Sequence, residues 1–194
     1  MNFLDHIPKN FIILARVKAL AMLCICGVIV FFVTVHSPFL YDDAHVIEDN
    51  PYIKNLSKFQ QLVGVQNIFN RSILLFTFSV NHAIGQVDVF GYHLINIILH
   101  LCVAISLYFL TFEILKIEQT GLALKFKNLP LVVSLFHVFH PMNVESVTYL
   151  SSRSSVLATL FYLLSFYIFI RFINLKEKKN GKWKKLHYPV IAIF

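Results

Sequence analysis

Four stretches of this chain are too long and too apolar to rest in water, and they decide what it can fold into. They lie at about 19–36, 92–115, 127–145 and 154–174, and another apolar run, 188–194, reaches the last residue. About 20 apolar residues in a helix match the hydrocarbon core of a bilayer. Composition agrees, with 57% apolar residues, 20 Phe and only 14% charged residues. Soluble domains of this size carry about a quarter charged residues. The expected fold class is therefore all-α: a polytopic helical membrane protein with four spans and the start of a fifth. The first span could be confused with a secretory signal, since a basic start precedes it. Its core is longer than a signal core, and no small-x-small cleavage site follows. The incomplete fifth run reads as the amino-terminal part of a longer membrane protein.

The charges suggest how the spans are oriented. Lys9, Arg16 and Lys18 precede the first span, Lys125 and Lys127 precede the third, and six lysines from Lys176 to Lys185 follow the fourth. Four spans put all three basic segments on one side, as the positive-inside rule requires. Ile73–Val80 is apolar but far too short to span. Counting it would export the lysine-rich loop. The 37–91 segment is thus expected to be one external loop, with Ile73–Val80 lying along the interface. The third span is the weakest. Its apolar core runs only from Leu129 to Phe139, so either Lys125 and Lys127 snorkel and His140 opens a second external loop running on to Arg153, or the span continues toward Tyr149. Glu145 would then lie within the membrane. Cys24, Cys26 and Cys102 all sit in apolar runs and read as small core or lipid-facing residues.

The polar residues of interest gather at the external ends. Asp42 and Asp43 are adjacent carboxylates a few residues past the first span. Such neighbours repel unless a cation or donor offsets them. One can accept a proton from a hydroxyl while the other orients it or holds a divalent metal. The plainer reading is a solvated pair or a helix cap. Glu145, Tyr149 and Arg153 follow at i, i+4, i+8 and would share one face of a continuous helix. His93, Asn96 and His100 form a stripe at i, i+3, i+7, suited to hydrogen bonds with neighbouring helices. The two histidines are roughly 10 Å apart along the axis, too far to share a metal ion. Asn55-Leu56-Ser57 and Asn70-Arg71-Ser72 match the glycosylation triplet, a pattern common by chance. The lysine cluster reads as a topology signal, with anionic lipid headgroups as its other use.

One ordered set ties these residues together. It runs Tyr41-Asp42-Asp43, Asn50-Pro51, Asn81, Gly85, then Tyr92-His93-x-x-Asn96-x-x-x-His100. It closes with His140-Pro141-x-x-x-Glu145-x-Val147-x-Tyr149 and Arg153. This set resembles the amino-terminal membrane region of the transmembrane and tetratricopeptide-repeat (TMTC-type) proteins. These belong to the GT-C glycosyltransferase group, related to protein O-mannosyltransferases. The match covers about Phe39 to Phe172. The short first loop and Val147-Thr148-Tyr149 look bacterial-like, and Arg71-Ser72-Ile73 stands where the family often has Arg-Pro-Leu.

The resemblance implies a sugar moved from a polyprenyl-phosphate donor to an acceptor polypeptide or glycan, on the outer or lumenal side of the bilayer. It implies Asp42 or Asp43 as general base, or as ligand of a divalent metal where one is used. It implies His140, Glu145, Arg153, His93 and Asn96 around donor and acceptor, with Arg153 suited to the lipid phosphate. Localisation would be a multi-pass membrane: a bacterial inner membrane with the site facing the periplasm, or the endoplasmic reticulum in a eukaryote. Nucleic acid is not an expected partner. Two rivals stay open, a non-catalytic membrane scaffold and a transporter of the lipid-linked sugar. A transporter would need polar residues deep in several spans.

Overall fold

A computed structural model describes residues 9–51, 53–54, 71–117 and 126–180, with side chains from residue 13 to 175 within those segments. The glycosylation triplets, most of the lysine cluster and the 188–194 run lie outside the described residues, wholly or in part.

The described residues are helical, with no strand among them. Helix α1 is Lys9–Phe31, extended by a 3-10 turn, Phe32–Thr34. A π-helical turn, Ala44–Glu48, follows. Then come α2 (Ser72–Gly85), α3 (Val89–Ile117), α4 (Leu129–Phe139) and α5 (Asn143–Thr148). A 3-10 turn, Leu150–Ser152, leads into α6, Arg153–Asn180. Among the described residues, three segments are long and apolar enough to cross a membrane: Ile13–Thr34, Val89–Lys116 and Leu150–Leu175.

The core forms three layers along α3. At one end, Leu23 of α1 and Val138 of α4 pack on Ala104 and Tyr108, with Leu20, Leu131 and Leu135 around them. In the middle, Phe31 and Val35 meet Ile97, Leu101 and Val147. At the far end, Ile47, Ile53, Leu74, Phe78, Tyr92, Leu150 and Leu157 close the bundle. Gly27 lets α1 approach α3 closely, since a Cβ there would stand 2.4 Å from Leu101 Cδ2. By these layers α1 runs antiparallel to α3.

Helices α3 and α6 run parallel. Arg153 bonds Asn96 near one end, and Asn174 bonds Glu113 near the other. Those contacts are about 30 Å apart along α6. The chain between the two helices must therefore climb back the full length of α3. It does so through α4 and α5: Leu131 and Val138 lie at the Tyr108–Ala104 level, and Val147 at the Ile97 level.

That return departs from one of the two readings of the third span, a single helix continuing toward Tyr149. Helix α4 has 11 residues and stops at Phe139. His140 takes an extended backbone (φ −68°, ψ 123°) ahead of Pro141. A residue before proline is driven out of the helical region by the ring, so the break is written into His140-Pro141. The second expectation to fail is the shared face of Glu145, Tyr149 and Arg153. The chain leaves the helix again at Tyr149 (ψ 111°). Glu145 is exposed while Arg153 is buried. The 73–80 segment is part of a 14-residue helix, too short to span, whose Leu74, Phe78 and Asn81 are buried.

Candidate functional site

The two adjacent aspartates have opposite environments. Asp43 is 1% exposed and accepts three hydrogen bonds. Leu40 N donates to Oδ2 (3.2 Å), while Ser151 N (2.8 Å) and Ser151 Oγ (2.7 Å) both donate to Oδ1. Asp43 thus ties the start of the 37–91 segment to the turn that opens α6. Asp42 is exposed. Its backbone carbonyl accepts from Val46 N at 2.9 Å and starts the π-helical turn.

Tyr41 precedes the pair at φ 50° with its side chain 88% exposed. Its ring meets Tyr149 edge-on at 6.3 Å. An L-residue held in the left-handed region costs about 1–2 kcal/mol. Tyr41→Gly is therefore expected to raise thermal stability, by up to about 1 kcal/mol, because glycine takes that conformation freely. Thermal unfolding in detergent would check this, and a lower midpoint would show that the ring contact outweighs the strain.

Arg153 is fully buried and spreads across three elements. Nε donates to Asn96 Oδ1 (2.6 Å). Nη1 donates to Asn81 Oδ1 (2.8 Å) and Thr77 Oγ1 (3.1 Å), and Nη2 to the Tyr92 carbonyl (3.0 Å). The guanidinium also lies 4.4 Å from the centre of the Phe78 ring. Every one of these partners is neutral. Glu145 is not among them. The fork that the sequence suggested for a lipid phosphate is taken up as a clamp joining α2, α3 and α6. Asn96 completes it, its amide nitrogen donating to the Val147 carbonyl at 3.2 Å.

His93 is fully buried, with Nε2 3.0 Å from the Ser37 carbonyl. A carbonyl only accepts, so the proton is assigned to Nε2. Nδ1 is then a buried acceptor without a partner. His93 secures the end of the first span just ahead of the aspartates. His140 is half-buried and turned elsewhere, its ring 5.2 Å from Phe136 and its Nδ1 3.3 Å from Met142 N. The structure therefore gathers Asp42, Asp43, His93, Asn96 and Arg153 at one end of the bundle. It leaves His140 and Glu145 on the outer side of the α4–α5 break.

Below that end lies a cavity of about 60 Å³ lined by His100, His137, Asn143, Ser146, Ser155 and Thr159, among others. That is room for about two waters. The two histidine rings stack at 4.5 Å, and Nε2 of each is buried without a partner. At the opposite end of α3, Glu113 is buried, paired with Lys116 and bonded by Asn174 Nδ2 at 3.0 Å. Polar groups thus reach deeper than the sequence reading placed them. Ser151, Thr77, His137, Asn143 and Asn174 escaped that reading. Only Asn174, spaced i, i+21 from Arg153 on one face, carried a signal that could have found it. Asp43 spends its acceptor capacity on loop donors. Among the described residues no set of three or more His, Cys, Asp or Glu could hold a metal ion.

No family model matches the chain, and no solved structure matches it. Its sequence is nevertheless similar to several curated proteins over most of its length. A Caenorhabditis elegans protein O-mannosyl-transferase is 25% identical over 179 residues, covering 86% of this chain and 25% of the relative. Human protein O-mannosyl-transferase TMTC2 is 24% identical over 176 residues, covering 81% of this chain and 19% of the relative. Drosophila melanogaster protein O-mannosyl-transferase Tmtc1 is 26% identical over 183 residues, covering 87% of this chain and 20% of the relative.

The chain is similar to protein O-mannosyl-transferases. It spans a quarter or less of the length of these relatives. All three are animal proteins, so the bacterial leaning drawn from Val147-Thr148-Tyr149 gains no support from them. Together with its three span-length helices, the likeness makes this a membrane protein akin to glycosyltransferases.

Proposed function

We propose that this chain is part of a membrane glycosyltransferase that moves a sugar, mannose by the names of its relatives, from a polyprenyl-phosphate donor to an acceptor hydroxyl on a polypeptide or glycan. The observation that carries the proposal is the split pair: an exposed Asp42 held in place by a buried, fully bonded Asp43. A base needs access to the substrate, and the loop that presents it needs an anchor. In the reaction, Asp42 takes the hydroxyl proton as the acceptor oxygen bonds to the anomeric carbon. The bond from that carbon to the phosphate oxygen breaks, and its electron pair leaves with the polyprenyl phosphate. Of the remaining residues, Arg153 and Asn96 serve by holding the helices that present the loop.

The proposed topology has four crossings: α1, α3, the broken α4–α5 pair and α6. The third crossing is supported by the course of α4 and α5, with Leu131 and Val138 at the Tyr108–Ala104 level and Val147 at the Ile97 level. The end bearing Arg16, Lys18, Lys116 and Lys127 then faces the cytoplasm. Asp42 faces the outer or lumenal side.

The test is transfer by the full-length protein in nanodiscs, with radiolabelled polyprenyl-phosphate mannose and a serine- and threonine-rich peptide. Label in the peptide is expected. A folded protein that leaves the peptide unlabelled, yet is equally stable with and without the donor, would overturn the proposal.

A further inference from the structure

The basic end of the bundle carries an arrangement that sugar transfer does not use. Arg16 of α1 and Lys116 of α3 converge on one aromatic ring. The Arg16 guanidinium lies 4.3 Å and the Lys116 ammonium 4.6 Å from the centre of Phe112. The two cations are therefore no more than about 9 Å apart, the two ring distances laid end to end. Lys116 has a counter-charge in Glu113. Among the described residues, Arg16 has no carboxylate within ion-pair distance, and its Nε is buried without a hydrogen-bond partner. Lys18 and Lys127 stand exposed at the same end.

We infer that Arg16 and Lys116 together hold the phosphate of an anionic phospholipid in the cytoplasmic leaflet. With Lys116 paired to Glu113, the cluster keeps one positive charge in a medium of low dielectric, which favours an anion beside it. A guanidinium offers a phosphate two parallel donors. The flanking surface decides for a lipid over free phosphate. Ile13, Leu14 and Val17, which surround Arg16 on α1, are exposed apolar side chains against which acyl chains can lie. The Phe112 ring keeps both cations at that surface, its face attracting each of them. The leaflet follows from the proposed orientation; the site itself does not depend on sugar transfer.

Native mass spectrometry of the full chain, released from mixed micelles, would test this with dioleoyl phosphatidylglycerol against dioleoyl phosphatidylcholine. The wild type is expected to retain phosphatidylglycerol preferentially. Arg16→Gln and Lys116→Gln should each weaken that retention about fivefold, and the double variant about thirtyfold, a basic residue near a charged leaflet contributing on the order of tenfold or somewhat less. Lys18→Gln, on the exposed face of α1, should change it little. Equal loss with Lys18→Gln would mean a diffuse field and no site. Displacement of the lipid by millimolar inorganic phosphate would mean a phosphate site indifferent to the lipid. Either result, or equal retention of both lipids by the wild type, overturns the inference. If Arg16→Gln does not fold, Lys116→Gln combined with Glu113→Gln still decides, because the pair removes the ammonium without leaving the buried Glu113 carboxylate unpaired.

Discussion

Arg153→Met is expected to unfold the bundle at a much lower temperature than the wild type, with a loss of about 3–5 kcal/mol. The reason is what the change leaves behind more than what it removes. Asn96 Oδ1 and Asn81 Oδ1 would each lose their donor in a buried place, and the Tyr92 carbonyl would keep only its helical one. A buried polar group without a partner costs about 1–3 kcal/mol. Methionine fills most of the volume, so the loss would report the orphaned acceptors. Arg153→Lys should recover only part of the stability, because one ammonium cannot serve Nε, Nη1 and Nη2 partners spread over two helices. Removing the acceptors as well, with Asn96→Leu and Asn81→Leu, should return some of the loss, since an apolar set is easier to bury than a broken polar one. Glu145→Gln is the control. Glu145 is exposed and bonded neither to Arg153 nor to any other side chain among the described residues, so its change should leave the midpoint in place. Fluorescence-detected size exclusion after heating would measure all of these. An Arg153→Met protein as stable as the wild type would show that the clamp carries no weight.

The clamp also shows what could be read from the sequence and what could not. The apolar runs at 19–36, 92–115 and 154–174 carry their own lengths, so helices there follow from the bilayer's thickness. The stripe of His93, Asn96 and His100 follows from helical spacing. The partners of that stripe do not. Asn96 meets Arg153 across 57 positions and Val147 across 51, and no local pattern marks such pairs. Asp43 and Ser151 are 108 positions apart, and Ser151 sits in a Ser-Ser-Arg-Ser-Ser run where every serine looks alike. The 127–145 segment was legible in part. Its apolar run marks the helix Leu129–Phe139, and one dipeptide, His140-Pro141, decides where that helix stops. Glu113 is hidden for the same reason as the clamp, since its partner Asn174 lies 61 positions on.

The sequence also left Asp42 and Asp43 as equals, and the structure makes them separable by experiment. Asp42→Asn is expected to lower kcat for sugar transfer by about 10²- to 10⁴-fold, the usual range for losing a general base. It should leave the thermal midpoint unchanged, since the Asp42 side chain is exposed. Asp43→Asn should do the reverse in part. An amide can accept through one oxygen only, so its nitrogen would face either Leu40 N–H or the two Ser151 donors. The expected result is a loss of about 1–3 kcal/mol in stability, with activity falling because the loop that carries Asp42 loosens. Ser151→Ala removes one of the same bonds and should give a smaller version of that effect, about 1 kcal/mol. Sugar transfer and thermal unfolding measured on the same preparations would separate the roles. If Asp42→Asn kept full activity while a well-folded Asp43→Asn lost it, the buried aspartate would have to reach the substrate. Its bonds to Leu40 and Ser151 would then have to open in the working enzyme. If both variants kept activity, the outer face would not hold the base at all, and the adjacent carboxylates would be no more than the anchor that joins the first loop to α6.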